Sequence, residues 1–146
     1  MGSTFLAVLF RDGDAFWAHT GDSRFCVFRE DLLIRITEDQ TLARFLVKEG
    51  EITPEQAKSH YSRQVMDQCV GCGYCEPETG CFELAPGDLA ILCTDGLFKS
   101  VNTELMVSSL SRSGGIDRLA DSLVRAALEN GGRDNITVIG IRSWNK

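Results

Sequence analysis

The chain has 146 residues and a mass of 16.1 kDa, which suit one globular domain and exclude a second full one. Hydrophobic residues make up 43% and charged residues 25%, so the chain has enough apolar side chains for a core and is not expected to be disordered. The net charge is -6 and Lys and Arg are scattered singly, which argues against a nucleic-acid partner and against binding to an anionic membrane.

Nothing in the sequence predicts a membrane segment or an export signal. The longest apolar stretch, residues 5–10, is far shorter than the roughly 20 residues that a membrane span needs. The N-terminus lacks the charged and apolar blocks of a signal peptide, so we expect a cytoplasmic protein without a membrane partner. The six cysteines are then expected to be reduced thiols or metal ligands rather than a disulfide framework, because the cytosol keeps thiols reduced.

The first part of the chain predicts an antiparallel sheet. Apolar stretches on both sides of Asp12-Gly13-Asp14 predict a tight hairpin. Two further short strands are expected after the turn Gly21-Asp22-Ser23-Arg24, with a polar turn between them. The expected strands cover residues 5–10, 15–19, 25–28 and 32–36.

Helical spacing replaces strand alternation after the fourth strand. Leu42, Phe45 and Leu46 share one helix face, and Gly50 supplies a stop signal. A second short helix is expected directly afterwards, capped by Thr53 and with a proline at its first position. Two small helices should therefore interrupt the strands.

The rest of the chain predicts two strands, two helices and a final strand. Strands are expected at residues 82–84 and 88–93, followed by a helix that Thr103 can cap. Residues 116–128 carry apolar side chains at i, i+3, i+4 and i+7, the pattern of a helix with one buried face. The β-branched stretch 136–141 is expected to form a strand in the interior of a sheet.

Two aspartates lie in tight turns directly against strands that should be buried. Asp95 stands in Thr94-Asp95-Gly96, and Asp134 stands in Arg133-Asp134-Asn135. A carboxylate at the end of a strand can bind Mg²⁺ or Mn²⁺, which prefer oxygen ligands. The alternative is that both are ordinary turn formers, since Asp-Gly and Asp-Asn hydrogen-bond their own backbone.

The order of the motifs along the chain adds to the case for metal ligands. The motifs are Gly2-Ser3-Thr4, Gly21-Asp22-Ser23-Arg24, Thr37-Glu38-Asp39-Gln40, Gly50-Glu51-Ile52-Thr53 with Ala57 and His60, Leu92-Cys93-Thr94-Asp95-Gly96-Leu97-Phe98, and residues 131–137. This series resembles the C-terminal part of the metal-dependent serine/threonine protein phosphatases, the type-2C or PPM family, and most closely its bacterial members. The resemblance covers nearly the whole chain and implies an α+β fold, an antiparallel β-sandwich flanked by helices.

The resemblance also implies a set of metal ligands. Asp95 and Asp134 match the two family aspartates that hold a dinuclear Mn²⁺ or Mg²⁺ centre from the C-terminal side. Asp22 and Thr4 match positions that the family associates with a further, weaker metal site. That site also uses an acidic residue four places after the Asp-Gly aspartate, and here the position is Lys99. A cation opposite a cation is unfavourable, which argues against occupancy of this third site.

Part of the family pattern is absent from the sequence. The phosphate-binding Arg, the Glu-Asp pair and the Asp-Gly-x-x-Gly motif lie upstream of Gly-Ser-Thr in the family, so half of the primary metal shell is expected to be missing. Three interpretations stay open: a fragment of a longer gene product, half of an enzyme whose N-terminal portion is a separate chain, and a degenerate non-catalytic homologue.

The implied activity is the hydrolysis of phosphoserine and phosphothreonine in proteins. The expected partners are a phosphoprotein substrate and a cognate Ser/Thr kinase. Residues 41–61 resemble the flap that lies beside the family's active-site groove and influences substrate choice. The alternative is a non-catalytic regulatory module that uses this flap or a cysteine loop to bind a partner or a metal.

Four of the cysteines cluster within thirteen residues, at Cys69, Cys72, Cys75 and Cys81. Such spacing can wrap a tetrahedral Zn²⁺ site or, less convincingly, an iron-sulfur cluster. The segment aligns with the family's turn and strand after the flap without an obvious insertion. We therefore expect four reduced thiols without tightly bound Zn or Fe, and the metal site stays the alternative.

Overall fold

The structure is a computed structural model that describes residues 2–112 and 115–143. Among the described helices, none combines the length and the apolar character that a bilayer span requires. In chain order, the elements are β1 (Phe5–Arg11), β2 (Asp14–Thr20), β3 (Arg24–Arg29), β4 (Leu32–Arg35), α1 (Leu42–Lys48), α2 (Pro54–Ser59), a 3₁₀ helix (Tyr61–Gln64), β5 (Glu78–Glu83), β6 (Leu89–Cys93), α3 (Asp95–Ser100), α4 (Thr103–Arg112), α5 (Ile116–Glu129) and β7 (Val138–Arg142).

The strands form two antiparallel sheets. The first has the order β1-β2-β5 and the second the order β4-β3-β6-β7. Alternate side chains of both sheets point inward and form a core between them, centred on Ala15, Phe25, Val27 and Ala90. The expectation of an α+β fold with an antiparallel β-sandwich is confirmed.

A second core lies on the other face of the second sheet. Leu89, Ile91 and Cys93 of β6 point away from the sandwich interior and pack against α3, α4 and α5. The apolar face of α5 supplies Leu119 and Leu123, both fully buried. Burying a leucine side chain contributes roughly 1.5–3 kcal/mol, so α5 anchors this layer of the protein.

The first sheet has no comparable cover among the described residues. On its outer face, the side chains of Phe5, Leu9 and Phe16 are 50%, 63% and 43% exposed. Leu9 and Phe16 lie side by side, because they pair in the β1–β2 register, and Phe5 lies on the same face four residues earlier in β1. The described helices therefore flank only one side of the sandwich.

Two sequence expectations about local structure are wrong. Asn102, not Thr103, caps α4, because its side-chain oxygen accepts a hydrogen bond from the Leu105 amide at 2.9 Å. The last strand, β7, lies at the edge of its sheet, where it pairs with β6 alone among the described strands. Val138 packs against the helix layer on one face and Ile141 against the sandwich core on the other, while Ile139 is 52% exposed, as suits an edge strand.

Candidate active site

Three turns at one end of the second sheet hold the candidate aspartates. In the sheet register, Arg24 at the start of β3 pairs with Cys93 at the end of β6, and Cys93 pairs with Val138 at the start of β7. The turns that carry Asp22, Asp95 and Asp134 therefore meet at the same end of the sheet. All three aspartates line one cleft.

Lys99 joins two of these aspartates. Its Nζ atom lies 2.5 Å from Oδ2 of Asp95 and 2.9 Å from Oδ2 of Asp134. Asp95 and Lys99 are separated by one turn of α3 and so lie on the same helix face. The hydrogen bonds to Asp95 and Asp134 raise the pKa of Lys99, and the hydrogen bond from Lys99 lowers the pKa of Asp134.

Asp22 lies close enough to this pair to respond to it. Burial raises the pKa of the Asp22 carboxyl, the Asp95 and Asp39 carboxylates raise it further, and the Lys99 ammonium opposes both effects. The charges on α3 and on the β2–β3 turn are therefore close enough to interact. The cluster therefore consists of three carboxylates and one ammonium.

The backbone around Asp95 is fixed by contacts with the loop before β7. The Thr94 hydroxyl donates to the Asn135 carbonyl at 3.2 Å and accepts from the Thr137 amide at 3.0 Å. At Gly96 a Cβ atom would lie 2.5 Å from the Asn135 carbonyl oxygen, so only glycine allows this close approach. These contacts hold Asp95 and Asp134 at a fixed separation.

The β2–β3 turn is held from the other side. Gly21 and Gln40 exchange two hydrogen bonds of 2.8 Å, one of them through the Gln40 side chain. The hydroxyl of Thr4, a candidate for the third metal site, lies 2.9 Å from the Ser23 hydroxyl. Thr4 thus braces the turn that carries Asp22.

Sequence reasoning missed an arginine pair beside the cluster. Arg24 makes a bidentate ion pair with Asp39, at 2.6 and 2.8 Å, and Arg35 binds the same carboxylate at 2.6 Å. The Arg24 guanidinium also stacks 4.1 Å from the centre of the Phe98 ring in α3. Arg24 and Asp39 both stand in motifs that the sequence shows, but nothing in their spacing signals that they pair.

The flap-like segment forms the opposite wall of the cleft. Residues 41–61 fold into α1 and α2 and lead into the 3₁₀ helix, and a capping box between Thr53 and Gln56 begins α2. The segment is closed at its base, where the Leu42 amide donates to the Val65 carbonyl at 2.8 Å. The cleft between this wall and the aspartates has a volume of 1730 Å³.

Comparisons with known proteins agree with this architecture. The chain is 38% identical to the serine/threonine protein phosphatase PstP of Mycobacterium tuberculosis over 142 residues, and 34% identical to a protein phosphatase 2C-type protein of Streptococcus pyogenes over 139 residues. The solved serine/threonine phosphatase of S. agalactiae matches with a TM-score of 0.88 at 31% identity, over 97% of this chain and 59% of that one. Over nearly its whole length, the chain is therefore homologous to bacterial serine/threonine phosphatases of the type-2C, or PPM, family. No protein-family model matches the chain.

The chain spans only part of the length of these relatives. It covers 27% of the mycobacterial protein and 56% of the streptococcal one, while 95% and 94% of its own residues are aligned. It therefore corresponds to a part of the PPM domain.

The donor set fits a hard metal ion in type but does not complete a site. A solved structure of the PstP catalytic domain, which matches with a TM-score of 0.78 at 34% identity over 99% of this chain and 60% of that one, contains two manganese ions. Carboxylate oxygens of the kind that Asp22, Asp95 and Asp134 offer are the ligands that Mn²⁺ and Mg²⁺ prefer. Residues 2–112 and 115–143, however, contain no group of three or more His, Cys, Asp or Glu side chains arranged to hold a metal ion.

The cysteine cluster differs from the expectation. Cys69 and Cys72 form a disulfide, so the prediction of four reduced thiols is wrong for this pair. Cys75 and Cys81 carry free thiols; Cys75 lies 3.4 Å from the Thr20 hydroxyl and Cys81 is exposed on β5. The described part of the chain does not gather the four sulfurs into one metal site.

Proposed function

We propose that this chain is the C-terminal part of a protein serine/threonine phosphatase that hydrolyses phosphoserine and phosphothreonine with Mn²⁺ or Mg²⁺. The proposal rests on one observation: Asp22, Asp95 and Asp134 lie together at one end of the second sheet, in a chain whose relatives are serine/threonine phosphatases. A pair of divalent ions, when bound, supplies an activated water and neutralises phosphoryl oxygens.

The chain's own residues account for part of such a site. Asp95 and Asp134 offer oxygen ligands from two turns that Thr94 and Gly96 hold together. The remaining ligands would come from residues outside this chain.

The opposite wall of the cleft suits a phosphorylated peptide. Arg44, Lys58 and Arg63 line the cleft there; Arg44 is paired with Glu38 and Glu78, and Lys58 is paired with Glu55. A cleft with metal ligands on one side and cations on the other can accept a phosphoryl group together with the chain that carries it. The function implies a Ser/Thr kinase that phosphorylates the same proteins.

A chimaera tests the proposal. The matching part of the mycobacterial PstP catalytic domain is replaced by this chain, and hydrolysis of a phosphothreonine peptide is measured with Mn²⁺. We expect turnover that Asp95→Asn and Asp134→Ala each reduce by about 100-fold. Asp121→Ala, on the exposed face of α5, is the matched control and should leave the rate unchanged.

Two outcomes would count against catalysis. A folded chimaera without turnover favours the non-catalytic module, and turnover that survives Asp134→Ala removes this residue from the ligand set. The 146-residue chain by itself should hydrolyse the peptide very poorly, because three carboxylates and water would have to replace a whole ligand shell.

A further inference from the structure

Lys99 occupies the space between two carboxylates that would otherwise share a metal ion. Its ammonium contacts Oδ2 of Asp95 and Oδ2 of Asp134 at the same time. The second oxygen of Asp134 accepts a hydrogen bond from the Asn135 amide at 2.9 Å, which fixes the carboxylate so that Oδ2 points at Lys99. The contact is therefore built into the loop and the first turns of α3.

A metal ion and this ammonium exclude each other. Mn²⁺ and Mg²⁺ sit at about 2.0–2.2 Å from carboxylate oxygens, so an ion that bridged the two Oδ2 atoms would overlap the position of Nζ. Two cations at that separation also repel strongly. Either the ammonium or a divalent ion can lie between Asp95 and Asp134, but not both.

The charge of the cluster leads to the same conclusion. Asp22, Asp95 and Asp134 with Lys99 leave two negative charges, which one divalent ion neutralises. An acidic residue at position 99 would leave four negative charges, which two divalent ions neutralise.

We propose that Lys99 is a resident cation that takes the place of one divalent ion between Asp95 and Asp134. The chain then holds these carboxylates together without metal and competes with Mn²⁺ for them. Lys99 is 56% exposed, so its ammonium can swing into solvent when a metal ion displaces it. The proposal deepens the metal site of the proposed function, but its test measures binding alone and does not need catalysis.

Mn²⁺ titration of the 146-residue chain tests the proposal. Calorimetry is used to compare the wild type with Lys99→Met, which keeps the side-chain length and loses the charge, and with Lys99→Arg, which keeps the charge. We expect Lys99→Met to bind Mn²⁺ at least about tenfold more tightly than the wild type and Lys99→Arg to bind like the wild type. Lys99→Asp should also bind more Mn²⁺ per chain. Equal affinities in the wild type and Lys99→Met would overturn the proposal.

A measurement on the unaltered chain guards against variants that misfold. Lysine labelling by an acylating reagent is followed by peptide mass spectrometry, with and without saturating Mn²⁺. We expect Mn²⁺ to release the Lys99 amine and raise its labelling several-fold, whereas labelling of Lys48, which lies outside the cleft lining, stays constant. If Mn²⁺ binds and Lys99 labelling does not change, the ammonium is not displaced and the proposal fails.

Discussion

The aspartate cluster and the cysteine loop present opposite relations between sequence and space. The three aspartates are far apart in the sequence, yet the antiparallel register of β3, β6 and β7 brings their turns to one end of the sheet. The cysteines lie within thirteen residues, yet two are joined in a disulfide and one is exposed on β5. Closeness in sequence is thus a poor guide to a ligand set in this fold, and strand register is a better one.

The two regions are also stabilised differently. Around Asp95, hydrogen bonds and a close backbone approach join segments about 40 residues apart in sequence. In the cysteine loop, a covalent bond closes a turn of four residues, and the exchange of hydrogen bonds between Ser3 and Val70 attaches the turn to the first motif. Variants in each region can therefore test whether packing or cross-linking matters more.

The largest effect is expected from a pair of glycine variants, one in each region. Gly96→Ala places a Cβ atom 2.5 Å from a backbone carbonyl that cannot move without the loop, and should lower the free energy of unfolding by about 3 kcal/mol. Gly73→Ala meets nothing within 4 Å and carries only the penalty of a positive φ, about 1 kcal/mol. Urea unfolding of both variants measures the difference, and equal losses would remove the close approach as the reason for Gly96.

Removal of the disulfide should have the next largest effect. Cys69→Ser with Cys72→Ser is expected to lower the free energy of unfolding by about 2 kcal/mol, the value for a very short loop in the chain-entropy model. Cys81→Ser, which changes an exposed free thiol, is the control and should change stability by less than about 0.5 kcal/mol. If a reducing agent leaves the wild-type unfolding curve unchanged, the disulfide does not support the fold.

The strands, the helix pattern and the aspartates could be predicted because each follows from a local signal. Short apolar stretches bounded by turns indicate β1 and β3, one apolar face indicates α5, and Asp-Gly after a strand indicates the turn that carries Asp95. The other features depend on contacts between distant segments. The position of Lys99 between two carboxylates and the pairing of Arg24 with Asp39 follow from sheet register and helix phase, which no local pattern contains.

A smaller effect is expected at Thr94, whose hydroxyl joins β6 to the loop before β7. Thr94→Val keeps the shape but leaves the Thr137 amide without its acceptor, so the free energy of unfolding should fall by about 1–2 kcal/mol. Thr79→Val, on the exposed face of β5, is the matched control and should be nearly neutral. Equal unfolding midpoints for the two variants would show that the hydroxyl does not support the aspartate turn.

Thiol labelling of the unaltered chain compares the reactivity of the cysteines and is expected to disturb the structure least. Burial raises the pKa of Cys26 to about 11, so at pH 8 only about one molecule in a thousand carries its thiolate. Burial also raises the pKa of Cys93, and the neighbouring Cys26 adds to the shift.

Iodoacetamide at pH 8 should therefore modify the exposed Cys81 first and both buried thiols only in urea. Cys72 should react only after reduction. Because a raised thiol pKa favours the neutral form, labelling of Cys26 should accelerate as the pH rises toward 11. Peptide mass spectrometry gives the order, and modification of Cys26 as fast as Cys81 in the folded chain would contradict its burial.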